Sequence, residues 1–102
     1  MALYKAYPKK GKTCKVTFVL PVEASNGVSK VALVGDFNNW ESGTHLLSLD
    51  KDGLFSITIT LKQGSEYEFR YLMDDERWEN DWAADRYTQS TFGNCDNSVV
   101  IV

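Results

Sequence analysis

Hydrophobic and polar residues alternate with a period of two over much of the chain, and this pattern predicts β-strands. The segments 13–20, 54–61 and 66–73 each place apolar or aromatic side chains on one face and mainly polar ones on the other. Turn-forming sequences, DKDG at 50–53 and KQGS at 62–65, lie between them. The predicted inward side chains are Cys14, Val16, Phe18, Leu20, Phe55, Ile57, Ile59, Leu61, Tyr67, Phe69, Tyr71 and Met73.

Three more segments complete the predicted set of strands. Residues 28–35 alternate less cleanly, as a strand covered on both faces does, and 44–49 and 97–102 are shorter candidates. No segment has the pattern of an amphipathic helix. Six or seven short strands separated by turns predict an all-β fold, an antiparallel β-sandwich of about seven strands.

The length and charge of the chain limit the other possibilities. Its 102 residues fit one domain, which we place at 13–102 after an N-terminal arm at 1–12. The net charge is −3, and the basic residues are spread out except for KKGK at 9–12, so we expect no nucleic-acid binding. No apolar run is long enough for a membrane span or a secretory signal. We therefore expect a cytoplasmic protein that does not enter a membrane.

Candidate metal ligands and redox groups are few. Two cysteines and one histidine cannot form a four-ligand structural zinc site without carboxylates, and we expect no metal and no cofactor. Cys14 and Cys95 are interpreted as small buried apolar residues in preference to a disulfide. The strands that carry them could nevertheless be neighbours in a sandwich.

All three tryptophans, Trp40, Trp78 and Trp82, lie in strongly polar stretches. Each could fold back as a lid over the sandwich, but three such residues together favour a binding surface. A flat indole fits the apolar C–H face of a glucose ring, and polar side chains around it can bond the hydroxyl groups. The polar candidates are Arg70 and the loop residues Asn38, Asn39, Asn94, Asp96 and Asn97, although a single Asn more often makes a turn.

The acidic residues at 74–76 and 79–81 raise the question of catalysis. Glycosidases need two carboxylates that face each other across a cleft, and neighbours on one loop do not. These residues are therefore interpreted as a solvated acidic loop. His45 alone cannot provide a Ser-His-Asp triad, so we expect no enzymatic activity.

Three ordered motifs carry a resemblance to a known family. VALVGDFNNW at 31–40, YEFRYLMDDERW at 67–78 and FGNCDNSVVIV at 92–102 resemble the glycogen- and starch-binding early-set domain, carbohydrate-binding module family 48. That family includes the N-terminal domains of isoamylases and glucan-branching enzymes and the glycogen-binding domain of the AMP-activated protein kinase β subunit. The resemblance implies an immunoglobulin-like β-sandwich that binds glycogen, starch, maltooligosaccharides or cyclodextrin without catalysis.

The same resemblance assigns roles to individual residues. It implies sugar stacking on Trp40 and Trp78, hydroxyl bonding by Arg70, and an apolar residue, Phe92, that enters a bound ring. It also matches the polar positions before the last strand to Asn94, Asp96 and Asn97.

Three features depart from the family pattern and leave alternatives open. Asp96 stands where the kinase module has Asn, so one hydrogen-bond donor is lost and a charge is gained, although the side chain can still accept hydrogen bonds from hydroxyl groups. The turn before Trp78, DDER, is one residue longer, which could move the ring. Trp82 stands where a proline is common, and it either adds a third platform or takes the packing place of that proline. An accessory role is the alternative to glucan binding, with the same face docking a glucan-processing enzyme in trans or another partner.

Overall fold

A computed structural model describes residues 1–90 and 96–102 of the chain. The described part contains ten strands, a four-residue helix α1 (Val22–Ser25) and a 3-10 turn (Asp36–Asn38). The strands are β1 (Ala2–Ala6), β2 (Thr13–Leu20), β3 (Val31–Gly35), β4 (His45–Leu46), β5 (Ser48–Leu49), β6 (Phe55–Lys62), β7 (Glu66–Met73), β8 (Arg77–Glu79), β9 (Arg86–Gln89) and β10 (Asp96–Ile101). In this part of the chain no helix is long and apolar enough to span a membrane.

The strands form two sheets in which neighbouring strands are antiparallel. The first sheet has the order β1-β2-β6-β5, and the second has the order β4-β3-β7-β10-β9, with β8 also paired to β7. The two sheets pack face to face, which confirms the predicted all-β sandwich. The strand number exceeds the predicted seven because several strands have only two to five residues, and their pairing depends on distant partners.

The core lies where the period-two pattern predicts it. The inward side chains of β2 are completely buried, and those of β6 and β7 are buried or partly buried against them. The rings of Phe18 and Phe69 meet edge to face across the two sheets, with centroids 5.2 Å apart. Cys14 is a free, fully buried thiol, as expected for a small apolar residue, while Cys95 lies outside the described residues.

The predicted N-terminal arm is in part a strand of the sandwich. β1 pairs along β2 from Ala2 opposite Val19 to Ala6 opposite Lys15. The ammonium group of Lys5 also forms an ion pair with Asp85 at 2.6 Å. The sequence pattern does not indicate this strand, because β1 is short and only its pairing with β2 defines it.

The candidate strand at 44–49 divides between the two sheets. β4 pairs with β3 in the second sheet, and β5 pairs with β6 in the first. Leu47, between them, is buried in the core, and its N–H donates to the carbonyl of Val31 at 2.9 Å. One short segment thus crosses from one sheet to the other.

All five residues of β3 are buried, which confirms that this strand is covered on both faces. Val31 and Leu33 belong to the core between the sheets. Ala32 and Val34 point to the opposite, outer face of the second sheet, and together with Leu72 they form a second apolar cluster. The residue that covers this outer cluster is Trp40.

Candidate functional site

A tight turn after β3 brings the chain back over its own sheet. At Gly35 an added Cβ would lie 2.4 Å from the carbonyl oxygen of Glu68, so only glycine permits this approach to β7. Asn39 and Trp40 both have left-handed backbone angles, with φ of 56° and 58°. For a non-glycine residue this conformation costs roughly 1–2 kcal/mol and persists where other contacts hold it. The N–H of Trp40 donates to the carbonyl of Gly35 at 2.9 Å.

Asn38 fixes the inside of this turn. Its Oδ1 accepts the N–H of Gly35 at 3.1 Å, and its Nδ2 donates to the carbonyl of Leu33 at 2.8 Å. The second Nδ2 hydrogen faces Nδ1 of His45 at 2.9 Å, which makes that ring nitrogen the acceptor. Of the two interpretations of Asn38, turn formation is therefore the one that the structure supports, because the side chain is buried and its groups are used within the turn.

The Trp40 indole lies on the outer face of the second sheet, against Ala32, Val34 and Leu72. It is half-buried, so it is a lid on β3 and also presents part of its surface to solvent. The indole N–H donates to Oδ1 of Asp36 at 2.9 Å. Apolar residues at outward positions of β3 and β7 were the sequence signal that this face needs a cover.

Arg70 and Trp78 join Trp40 on the same face. The guanidinium carbon of Arg70 lies 5.8 Å from the ring centroid of Trp40 and 5.2 Å from that of Trp78. Both distances fall within the range of a cation–π attraction. We call these three residues, Trp40, Arg70 and Trp78, the indole cluster. The structure thus brings together three of the residues that the sequence predicts for one site.

Trp78 belongs to a strand and not to a free loop. In β8 it pairs with Leu72 of β7, and its side chain is 45% exposed. The long turn before it is anchored, because Oδ1 of Asp74 accepts the backbone N–H groups of Ser29 and Lys30, both at 2.9 Å. The extra turn residue therefore leaves Trp78 next to Arg70.

A polar group formed by Glu68, Thr88 and Asn97 lies next to the indole cluster on the same face. Oε1 of Glu68 accepts the hydroxyl of Thr88 at 2.6 Å and Nδ2 of Asn97 at 3.2 Å. These two hydrogen bonds, with the positive charge of Arg86, lower the pKa of Glu68. Glu68 was not among the predicted site residues, although it lies two positions before Arg70 on the same face of β7.

The remaining predicted site residues fall in different places. Phe92 and Asn94 lie outside the described residues. Asn97 is buried on the outer face beside Glu68. Asp96, the neighbouring residue in β10, is exposed and its strand position belongs to the opposite face of the sheet. Trp82 is 59% exposed, and its backbone N–H contacts the sulfur of Met1 at 2.9 Å. Within the described residues, nothing places Trp82 against the indole cluster.

The segment after β8 contains a buried carboxylate, so its interpretation as a solvated loop is wrong for Asp81. This residue has no exposed surface. Its Oδ2 accepts the hydroxyl of Tyr71 at 2.7 Å, and its Oδ1 accepts the N–H of Ala83 at 2.8 Å. Burial, followed by the charge and the hydrogen bond of Asp81, raises the pKa of Tyr71 well above 10.0. The hydrogen bonds of the Asp81 carboxylate make it a structural group.

The described part of the chain shows no grouping of three or more His, Cys, Asp or Glu side chains that could hold a metal ion. The candidate site is an outer sheet face with two indoles, a cation near both rings and a polar border. Such a surface suits a ligand that has apolar faces and hydroxyl edges.

Comparison with known proteins identifies the class. The chain belongs to the family described as the glycogen recognition site of AMP-activated protein kinase, whose model matches residues 11–102. It also resembles the 1,4-alpha-glucan-branching enzyme of Debaryomyces hansenii, with 49% identity over 41 residues. That stretch covers 39% of this chain and 6% of the enzyme, so the chain spans only a small part of that relative. The chain is thus a member of a family of glycogen-recognition domains, and its fold is a β-sandwich.

Proposed function

We propose that the chain binds α-1,4-linked glucan, such as glycogen, starch or maltooligosaccharides, through the indole cluster, and that it does so without catalysis. The observation that carries the proposal is the position of the Arg70 guanidinium near both indole rings on one open sheet face. The description of the family and the printed name of the branching enzyme support the choice of ligand.

The proposed contacts follow from the chemistry of the three side chains. The exposed part of the Trp78 ring offers a flat apolar surface to the C–H face of one glucose residue, and Trp40 offers another. Arg70 has several N–H donors that can bond the sugar hydroxyls between the two rings. The pKa of Glu68 is lowered from an ordinary value of 4.5 that is already well below 7, so the side chain is ionised at neutral pH. Its carboxylate can accept hydrogen bonds from sugar hydroxyl groups at the border of the site.

The shape of the site also sets the expected affinity. The indole cluster lies on an open face and cannot enclose a ligand, and a short sugar chain loses freedom when it binds. We expect dissociation constants on the order of 1 μM to 1 mM for oligosaccharides. On a polymer, many overlapping sites would raise the apparent affinity.

The test is isothermal titration of the protein with maltoheptaose and β-cyclodextrin. Trp78→Ala is the informative variant, because this half-exposed side chain can be removed at small cost to the core. Loss of one stacking platform should weaken binding by about tenfold or more, equivalent to at least ~1.4 kcal/mol. Trp82→Ala removes another exposed indole outside the indole cluster and is the matched control.

The outcomes separate the alternatives. Unchanged affinity in Trp82→Ala means that Trp82 is no platform, whereas weakening like that of Trp78→Ala would make it a third platform. A β-linked oligosaccharide tests the linkage and should bind less tightly. No heat with any sugar at millimolar concentration would refute glucan binding and favour the docking of a protein partner on this face.

A further inference from the structure

We infer that Asp36 is a positioning residue, which holds the Trp40 indole in the orientation that glucan binding requires. The inference rests on the proposed function. Asp36 lies in the turn after β3, and it was not among the residues expected to form the site.

The two carboxylate oxygens of Asp36 connect two parts of the site. Oδ1 accepts the indole N–H of Trp40 at 2.9 Å, and Oδ2 accepts the backbone N–H of Glu68 at 2.8 Å. Glu68 lies two residues before Arg70 on β7, so one side chain joins the Trp40 platform to the strand that carries the cation. Hydrogen bonds to an ionised carboxylate are shorter and stronger than those between neutral groups.

The other contacts of Trp40 leave a role for such a bond. The ring packs against Ala32, Val34 and Leu72, and apolar packing of this kind favours contact without specifying one in-plane rotation. The left-handed backbone at Trp40 also has to be held by its surroundings. The bond to Asp36 fixes the edge of the ring and thereby its direction relative to Arg70.

The carboxylate is specifically required, because it has to receive two N–H donors. A carboxylate offers an acceptor on each oxygen, whereas an amide offers one acceptor and one NH₂ group. In Asp36→Asn the NH₂ group would therefore face either the indole or the backbone N–H of Glu68. The ring would then spend only part of its time in the competent orientation. A competent fraction of one tenth would weaken the apparent affinity by about tenfold.

The experiment combines titration calorimetry with NMR of the indole N–H groups in wild type, Asp36→Asn and Trp40→Phe. Trp40→Phe identifies the Trp40 indole resonance by its disappearance and retains an aromatic platform. Asp50→Asn is the matched control for charge. Its Oδ1 accepts the N–H groups of Asp52 and Leu54, an arrangement that an amide oxygen can keep.

If the inference is right, Asp36→Asn raises the dissociation constant for maltoheptaose about tenfold. It also moves the Trp40 indole resonance upfield and leaves that of Trp82 in place. Asp50→Asn changes neither the affinity nor these signals. In the Trp40→Phe background Asp36→Asn should have little further effect on binding, because phenylalanine has no N–H to position.

Two results would overturn the inference while the proposed function stands. One is wild-type affinity in a folded Asp36→Asn protein. The other is an equal loss of affinity when Asp36→Asn is introduced into wild type and into the Trp40→Phe variant, which would show that Asp36 acts on the fold in general. A wild-type protein that fails to bind maltoheptaose would refute the proposed function, and this inference with it.

Discussion

Replacing Tyr71 with Phe removes one hydroxyl group from the core. This hydroxyl donates a hydrogen bond to Oδ2 of Asp81, so the variant leaves that oxygen without this donor. Asp81 has no exposed surface, so water cannot easily replace that donor, while its Oδ1 keeps the N–H of Ala83. A hydrogen bond to a charged group contributes about 1.5–3 kcal/mol, and the cost of the orphaned oxygen brings the expected loss to about 2–3 kcal/mol. In a domain of this size that loss lowers the melting temperature by roughly 10–20 °C.

The same pair predicts a pH dependence with a definite sign. The pKa of Tyr71 is raised well above its ordinary value of 10.0, so the folded state retains the phenolic proton where the unfolded chain releases it. The stability from this group is therefore complete below about pH 10 and is lost as the pH rises toward the folded pKa. The difference between wild type and Tyr71→Phe should narrow as the pH increases beyond 10.

Urea unfolding followed by tryptophan fluorescence, at pH 7 and again near pH 11, measures both effects. Tyr87→Phe is the matched control, because its hydroxyl donates to the carbonyl of Asp81 at 2.5 Å but the residue is 45% exposed. Water can replace that bond, so its loss should cost under about 1 kcal/mol. Equal destabilisation by the two variants, or a Tyr71→Phe effect independent of pH, would refute the argument.

Three further perturbations test the frame of the site. Gly35→Ala places a methyl group against the carbonyl oxygen of Glu68 and should cost about 3 kcal/mol in urea unfolding. Asp74→Ala removes the acceptor of two backbone N–H groups and places alanine at a left-handed position, so we expect the free energy of unfolding to fall by about 1–2 kcal/mol. Asp74→Asn keeps an acceptor oxygen and should leave the stability nearly unchanged. Hydrogen bonds from Thr88 and Asn97 lower the pKa of Glu68 from its ordinary value of 4.5. The contribution of ionised Glu68 to the stability of the fold is therefore complete above about pH 4.5 and is lost as the pH falls through the folded pKa. In acid titrations Glu68→Gln should lack this component.

For each of these three predictions a specific outcome would contradict the reasoning. Wild-type stability in Gly35→Ala would mean that β3 and β7 can separate without cost. Destabilisation of Asp74→Asn equal to that of Asp74→Ala would assign the effect to charge. Identical acid unfolding of wild type and Glu68→Gln would show that the polar group beside the indole cluster adds nothing to stability.

The long strands could be predicted because one physical requirement determines them. β2, β6 and β7 each bury a continuous inner face, so apolar residues recur at every second position of these segments. Leu72 of β7 is an exception, because it is also buried, on the outer face under Trp40. The same reasoning identified β3 as covered on both faces. The short strands β1, β8 and β9 have little such signal, because their pairing depends on partners that are distant in the sequence.

The sequence predicts which residues belong to the candidate site better than it predicts how they are arranged. Motifs in the sequence indicate Trp40, Arg70 and Trp78, but no local pattern shows that one guanidinium lies near both rings. Asp36 and Asp81 illustrate the limit. Each is an acidic residue in a polar stretch, and only the folded chain shows that one holds an indole and the other lies in the core.

The pairing of β1 with β2 bears on where the domain can be cut. The family match begins at residue 11, and a protein started there would lack β1 and leave β2 as an open sheet edge. The eight residues of β2 carry a single charged side chain, Lys15, so the bare edge could accept a strand from another molecule. We expect a chain shortened to residues 11–102 to self-associate in light-scattering measurements where the full chain does not. β1 is itself an edge strand, but it exposes an edge of 5 residues in place of the 8 residues of β2, and this shorter edge would limit aggregation.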